Sequence, residues 1–174
     1  MKILAGRVPG NGAFDTGAGG NLRCAMLTSL FAPGALRFDL SATTQDELLS
    51  QLAALMPLDP AGAAALQKML RRRESLGSTG VGRGVAIPHT RSTLVTGLQL
   101  AYGRHPAGLP WAAIDNRPVH FFFLIVAPPL EVSNEYLPVL GRIAQLVKEP
   151  DVPERLAAID SPDAFFELLR EKGA

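Results

Sequence analysis

Val119-His120-Phe121-Phe122-Phe123-Leu124-Ile125-Val126 is a nearly continuous apolar run, and it limits the folds open to this chain more than any other feature. A run of this kind escapes water either by crossing a bilayer or by lying in a sheet covered on both faces. A bilayer takes roughly 20 apolar residues, and the apolar stretch ends at Pro129. The run therefore reads as a central strand, and the chain must supply helices for two layers around it. The expected fold is a single α/β domain of layered type, a mixed β-sheet flanked by helices.

The flanking sequence offers those helices. Thr44-x-x-Glu47 is a capping-box pattern ahead of Leu48, Leu49, Leu52, Leu55 and Met56, and Pro57 ends that helix. Asp59-Pro60 supplies an N-cap and a proline at the first helical position, followed by Leu66, Met69 and Leu70 on one stripe. Arg71, Arg72 and Arg73 complement the negative end of this second helix. Residues 85–87 and 98–102 read as further strands. After the central strand, Ser133 or Asn134 caps a helix to about Val147, a short helix follows over residues 151–159, and Ser161-Pro162 starts a last one.

Residues 1–36 contrast with this regularity. They hold seven of the 17 glycines and few large apolar groups, so a flexible N-terminal extension is expected there, with the domain occupying residues 37–174. Met26 offers an alternative start. Gly6, Gly10 and Gly12 interrupt the apolar stretch behind Lys2 before a signal-peptide core develops. Cys24 is the single cysteine, so no intrachain disulfide and no thiolate metal cluster can form, and a reducing, cytoplasmic location is expected. Lys and Arg number 17 against 16 Asp and Glu, a net charge of +1. That balance argues against nucleic-acid binding driven by phosphate contacts, and the absence of a long apolar span argues against membrane insertion.

Chemistry concentrates between the second helix and the strands. Gly80, Gly82 and Gly84 flank Arg83 in a glycine-rich stretch whose backbone N–H groups could form an anion-binding concavity or simply supply positive φ for a helix-to-strand connection. It is not a Walker A sequence and lacks the dinucleotide-binding spacing. His89 follows the next strand, and a neutral imidazole there can act as a nucleophile, base or ligand. His105 and His120 are the only other histidines, and no metal-binding spacing links any two of the three, so neither metal nor cofactor is expected.

The segment Arg73-Glu74-Ser75-Leu76-Gly77-Ser78-Thr79-Gly80-Val81-Gly82-Arg83-Gly84-Val85-Ala86-Ile87-Pro88-His89 resembles the active-site segment of the IIA domains of the phosphoenolpyruvate-dependent phosphotransferase system, in the fructose, mannitol and nitrogen-regulatory branch. The similarity extends through Ala113-Ile114-Asp115-Asn116-Arg117-Pro118-Val119 and Ser133-Asn134-Glu135-Tyr136-Leu137, over roughly residues 36–172. The resemblance implies a phosphotransferase component rather than a stand-alone turnover enzyme. His89 would accept a phosphoryl group from an HPr-like phosphocarrier protein, and Arg73 would stabilise the phosphate. It also implies downstream partners: a regulated kinase, a transporter or a IIB protein.

Two positions depart from the family pattern. Arg83 stands where many relatives carry an uncharged residue. Tyr136 occupies the position of the family's second histidine, and a phenol with a pKa near 10 cannot titrate around neutrality. That substitution points toward a regulatory or weakened phosphoacceptor, and the motifs at residues 76–80 and 114–116 resemble the nitrogen-regulatory type more closely. Two rivals remain: a binding module that keeps the fold without the phosphorelay, and a sugar-uptake component that passes phosphate to a separate IIB protein.

Overall fold

The computed structural model describes residues 26–130 and 134–174. Strand β6 (Val119–Ala127) lies in the interior of a six-stranded sheet and is buried at every position except His120. β6 pairs antiparallel with β5 (Gln99–Leu109) on one side. On the other side β3 (Val85–Ala86) and β4 (His89–Arg91) run parallel to it. Val85 opposes Phe121 and His89 opposes Ile125, so β3 and β4 keep one register and act as a single strand interrupted at Pro88, which has no N–H to donate. β2 (Gly80–Gly82) pairs antiparallel with β3 to close that edge.

Alternation along β6 builds the two cores. Phe121, Phe123 and Ile125 face a cluster completed by α3 (Tyr136–Leu146), α4 (Val152–Ala158) and α5 (Pro162–Glu171) through Ile143, Leu156, Phe165 and Leu168. Phe122, Leu124 and Val126 face Leu48, Leu52, Leu66 and Leu70 of α1 (Gln45–Ala53) and α2 (Pro60–Ser75). The layered, mixed-sheet architecture expected from the apolar run is the one observed. A strand rather than a helix follows because a period of two serves both helical layers at once.

Helix starts follow their local signals in three cases. Thr44 and Glu47 form a reciprocal capping box, the Asp59 carboxylate accepts the Gly62 N–H at 2.7 Å, and the Ser161 hydroxyl accepts the Ala164 N–H. α3 differs. Ser133 lies outside the described residues, and the helix starts at Tyr136 with Glu135 as an N-cap that makes no side-chain cap bond. This late start places Pro138 in the first turn, where its missing N–H is harmless.

The folded domain begins earlier than residue 37. A 3-10 turn (Leu27–Leu30) leads into β1 (Phe31–Arg37), which pairs parallel with the outer edge of β5. Leu27 is 1% exposed, and Phe31 packs edge-on against Phe165 and Phe166. Pro33 and Gly34, with φ of +79° at Gly34, interrupt the pairing and hide this strand from a periodicity reading. The rest of the expected extension, residues 1–25 with Cys24, lies outside the described residues.

Candidate functional site

His89 opens β4 at the C-terminal end of the broken strand, where the Ile87-Pro88 interruption lets the backbone fold back toward its side chain. Nδ1 lies 2.7 Å from the Ile87 carbonyl oxygen, which can only accept, so Nδ1 carries the proton. On the other side of the ring, Arg73 Nε donates to Nε2 at 2.9 Å, which requires a lone pair there. Two independent contacts thus select one neutral tautomer with the lone pair on Nε2. Burial lowers the His89 pKa and outweighs the upward pull of the Ile87 carbonyl, with the nearby Arg73 charge lowering it further and Glu74 opposing least. The imidazole is therefore neutral at neutral pH.

Arg73 comes from the last turn of α2, and its Nη1 also donates to the Gly77 carbonyl at 2.9 Å. That bond ties the guanidinium to the loop following the helix. Tyr136, the first residue of α3, packs its ring edge-on to His89 with centroids 5.7 Å apart. The Arg91 guanidinium lies 4.9 Å from the Tyr136 ring centroid, and its Nη1 donates to the Pro128 carbonyl. Burial raises the Tyr136 pKa, opposed by the charges of Arg73 and Arg91, so the residue stays a phenol. His89, Arg73 and Tyr136 lie together in the structure. Arg91 joins them, and it was findable: two residues beyond His89 in a strand is the same face.

Behind the site stands Glu74. Its buried carboxylate accepts the Thr79 N–H at 2.9 Å, the Thr79 hydroxyl at 2.6 Å and the Trp111 indole N–H at 2.9 Å. These bonds pin the loop between α2 and β2 to the strand that carries His89, since the Ile87 N–H donates to the Thr79 carbonyl. Gly80 sits so close to the next layer that a Cβ would lie 2.7 Å from Ala113 Cα. No sequence period marks the Glu74 to Trp111 contact.

The segment 29–172 matches the family model described as phosphoenolpyruvate-dependent sugar phosphotransferase system, EIIA 2. The chain belongs to this family. A nitrogen regulatory protein of Bradyrhizobium diazoefficiens is 31% identical over 144 residues, covering 82% of this chain and 94% of the relative. The fructose-specific EIIABC component of Bacillus subtilis is 26% identical over 149 residues, covering 83% of this chain, which spans only 23% of that protein's length. Among solved structures, the nitrogen regulatory protein IIA-Ntr of Neisseria meningitidis superposes with a TM-score of 0.76 at 26% identity, covering 83% of this chain and 99% of that one. The mannitol IIA of Escherichia coli shares the fold, with a TM-score of 0.64 at 21% identity over 79% of this chain and 98% of that one.

The glycine-rich stretch of this EIIA domain is not an open anion cradle. Gly80 and Gly82 belong to β2, and Arg83-Gly84 is a two-residue hairpin turn with φ of +57° and +76°. Its tip lies at the start of β3, at the opposite end of the broken strand from His89. The Arg83 N–H donates to Asp115 Oδ2 at 2.8 Å, and its guanidinium donates to the carbonyls of Val147, Lys148 and Pro150 just beyond α3. Arg83 is exposed, and its guanidinium braces the end of a helix and makes no hydrogen bond to His89. Nearer the site, the Thr79 and Gly80 N–H groups are already engaged by Glu74 and the Ser78 hydroxyl. No helix among the described residues is long and apolar enough to cross a membrane.

Proposed function

We propose that Nε2 of His89 accepts a phosphoryl group from an HPr-like phosphocarrier protein, and that the phosphorylated domain acts chiefly as a regulatory switch of the nitrogen type. The observation that carries this reading is the selected tautomer: Nδ1 is protonated against Ile87, and the Nε2 lone pair faces the Arg73 guanidinium. In the transfer, a bond forms between Nε2 and phosphorus while the bond between phosphorus and the carrier breaks. Arg73 then exchanges its contact with the lone pair for contacts with the phosphoryl oxygens, which a planar guanidinium can hold in pairs. The proton stays on Nδ1, where its hydrogen bond to the Ile87 carbonyl stabilises the positive charge developing on the ring.

Tyr136 favours regulation over onward transfer. It packs on the acceptor ring but remains protonated, so it cannot gain and lose charge near neutrality as an imidazole would. The added phosphoryl group brings about −1.5 to −2 charge to the surface, enough to make or break docking to a kinase, transporter or other partner. The test is intact mass at neutral pH after incubation with phosphoenolpyruvate, enzyme I and HPr, comparing the unaltered protein with His89→Ala. One phosphoryl group on the unaltered protein alone is the expected result. No addition, with carriers from the same organism shown to be active, overturns the phosphoacceptor reading. Rapid passage of label to an added IIB protein would instead support the sugar-uptake role.

A further inference from the structure

The whole chain is almost neutral, yet the second half of α2 is not. Lys68, Arg71, Arg72 and Arg73 follow within two turns, and the only acid in this helix, Glu74, is buried under its three hydrogen bonds. Lys68, Arg72 and Leu76 stand four residues apart and form one exposed ridge, with Leu76 80% exposed at the C-cap. A four-residue step overshoots one helical turn by about 40°. The ridge therefore drifts toward the side of Arg73 as it approaches the site, and it ends beside Gly77, whose carbonyl Arg73 holds. Lys68, Arg71, Arg72 and Ser75 line a shallow cleft of about 450 Å³ along it. Arg71 faces Asp46 of α1 at 3.7 Å, whereas Lys68 and Arg72 enter no ion pair among the described residues.

We propose that this ridge is a docking rail for a protein presenting acidic side chains beside an apolar spot, and that it seats the partner that exchanges a phosphoryl group with His89. The proposal rests on the phosphoacceptor reading above and adds the chemistry of the partner's surface. Two cations without ion pairs among the described residues, followed by an exposed leucine and running into the mouth of the site, match a strip of carboxylates followed by an apolar contact. Surface charges of this kind act mainly on the rate of encounter. The arrangement also gives docking a direction. Once His89 is phosphorylated, the new negative charge stands at the end of the rail and opposes an acidic partner, so the rail favours arrival before transfer and departure after it.

The experiment measures phosphoryl transfer from the phosphorylated HPr-like carrier of the same organism to the unaltered protein and to Lys68→Glu/Arg72→Glu. Lys68→Gln/Arg72→Gln is the milder second variant. At low ionic strength, kcat/KM of the Glu variant is expected to fall about tenfold or more, with kcat at saturating carrier retained and the Gln variant intermediate. Added salt, which shortens the Debye length from about 10 Å at 0.1 M to about 3 Å at 1 M, should slow the unaltered protein and erase the difference. Equal kcat/KM for all three proteins at low salt overturns the rail while leaving His89 as acceptor. Failure of the unaltered protein to take up phosphate overturns both readings. Charge-dependent binding to vesicles of about one-third phosphatidylserine, with unaffected transfer, would reassign the ridge to a membrane surface and overturn the proposal.

Discussion

The two ends of the broken strand make a natural comparison, because each brings an arginine close to a histidine. At one end, Arg73 Nε donates to the bare lone pair of His89. At the other, Arg83 and His120 line one cleft, but the guanidinium is held by the carbonyls of Val147, Lys148 and Pro150. His120 Nδ1 lies 3.2 Å from the carbonyls of both His105 and Pro106. The same two residue types therefore hydrogen-bond to each other in one place and only line a common cleft in the other. The difference lies in what the cation is bonded to. A guanidinium facing a nitrogen lone pair can be handed over to an incoming phosphoryl group, whereas one bonded to three backbone carbonyls gives up its brace on the chain beyond α3 if it moves.

Exchanging the two arginines for alanine should break this comparison most sharply. Arg73→Ala is expected to slow phosphorylation of His89 about 100-fold or more, the usual loss for one preorganised transition-state donor, with little change in thermal stability. Arg83→Ala should leave the transfer rate within about twofold and reduce stability by about 0.5 to 1.5 kcal/mol, because the exposed and part-buried carbonyls beyond α3 exchange a charged donor for water. Label transfer and thermal unfolding on the same preparations check both. A large rate loss in Arg83→Ala with unchanged stability would return the hairpin turn to the site.

Glu74 gives the next effect. Glu74→Ala strands the Thr79 N–H and the Trp111 indole N–H in a buried place, and a loss of about 2 to 4 kcal/mol is expected. Glu74→Gln should restore most of it. Its amide oxygen can accept both N–H groups, and its NH₂ can donate to the Thr79 hydroxyl. Trp111 is the single tryptophan, so its emission reports directly on whether this contact survives. If Gln proves as damaging as Ala, the negative charge rather than the hydrogen-bond geometry holds the loop.

These variants also mark what could be read from the sequence. Contacts closed within one helical turn were legible: the Thr44 and Glu47 box, the Asp59 and Ser161 caps, and the alternation of β6 between two cores. His89, Arg73 and Tyr136 were found through the pattern surrounding them. Contacts made only in three dimensions were not legible. Nothing near residue 74 announces a bond to residue 111, and Arg83 in a glycine-rich stretch reads equally well as a phosphate ligand or a turn residue until its carbonyl partners come into place. β1 escaped because its pairing with β5 runs through Pro33 and Gly34, the two residue types that ordinarily argue against a strand.

The smallest expected effect concerns pH, and it separates His89 from the residue packed on it. Because burial lowers the His89 pKa, the folded protein resists protonation at this site while the unfolded chain takes up a proton near pH 6.5. Between about 6.5 and the lower folded value the unfolded state binds more protons, so His89 makes stability decline as pH falls through that window. The phosphorylation rate should, by the same reasoning, stay flat from pH 8 to below 6.5 and drop only under the depressed pKa. Tyr136 contributes no step in this range, since its pKa is raised. Tyr136→His places a second imidazole on the ring, and the two would titrate as a coupled pair. The expected signature is a new inflection near neutrality, with a change of a fewfold, in the rate of phosphoryl loss to an added IIB protein, checked by label transfer from pH 5.5 to 8. An unaltered profile in the variant would mean that the charge state at position 136 does not set the fate of the phosphoryl group, and that the regulatory character must come from elsewhere on the surface.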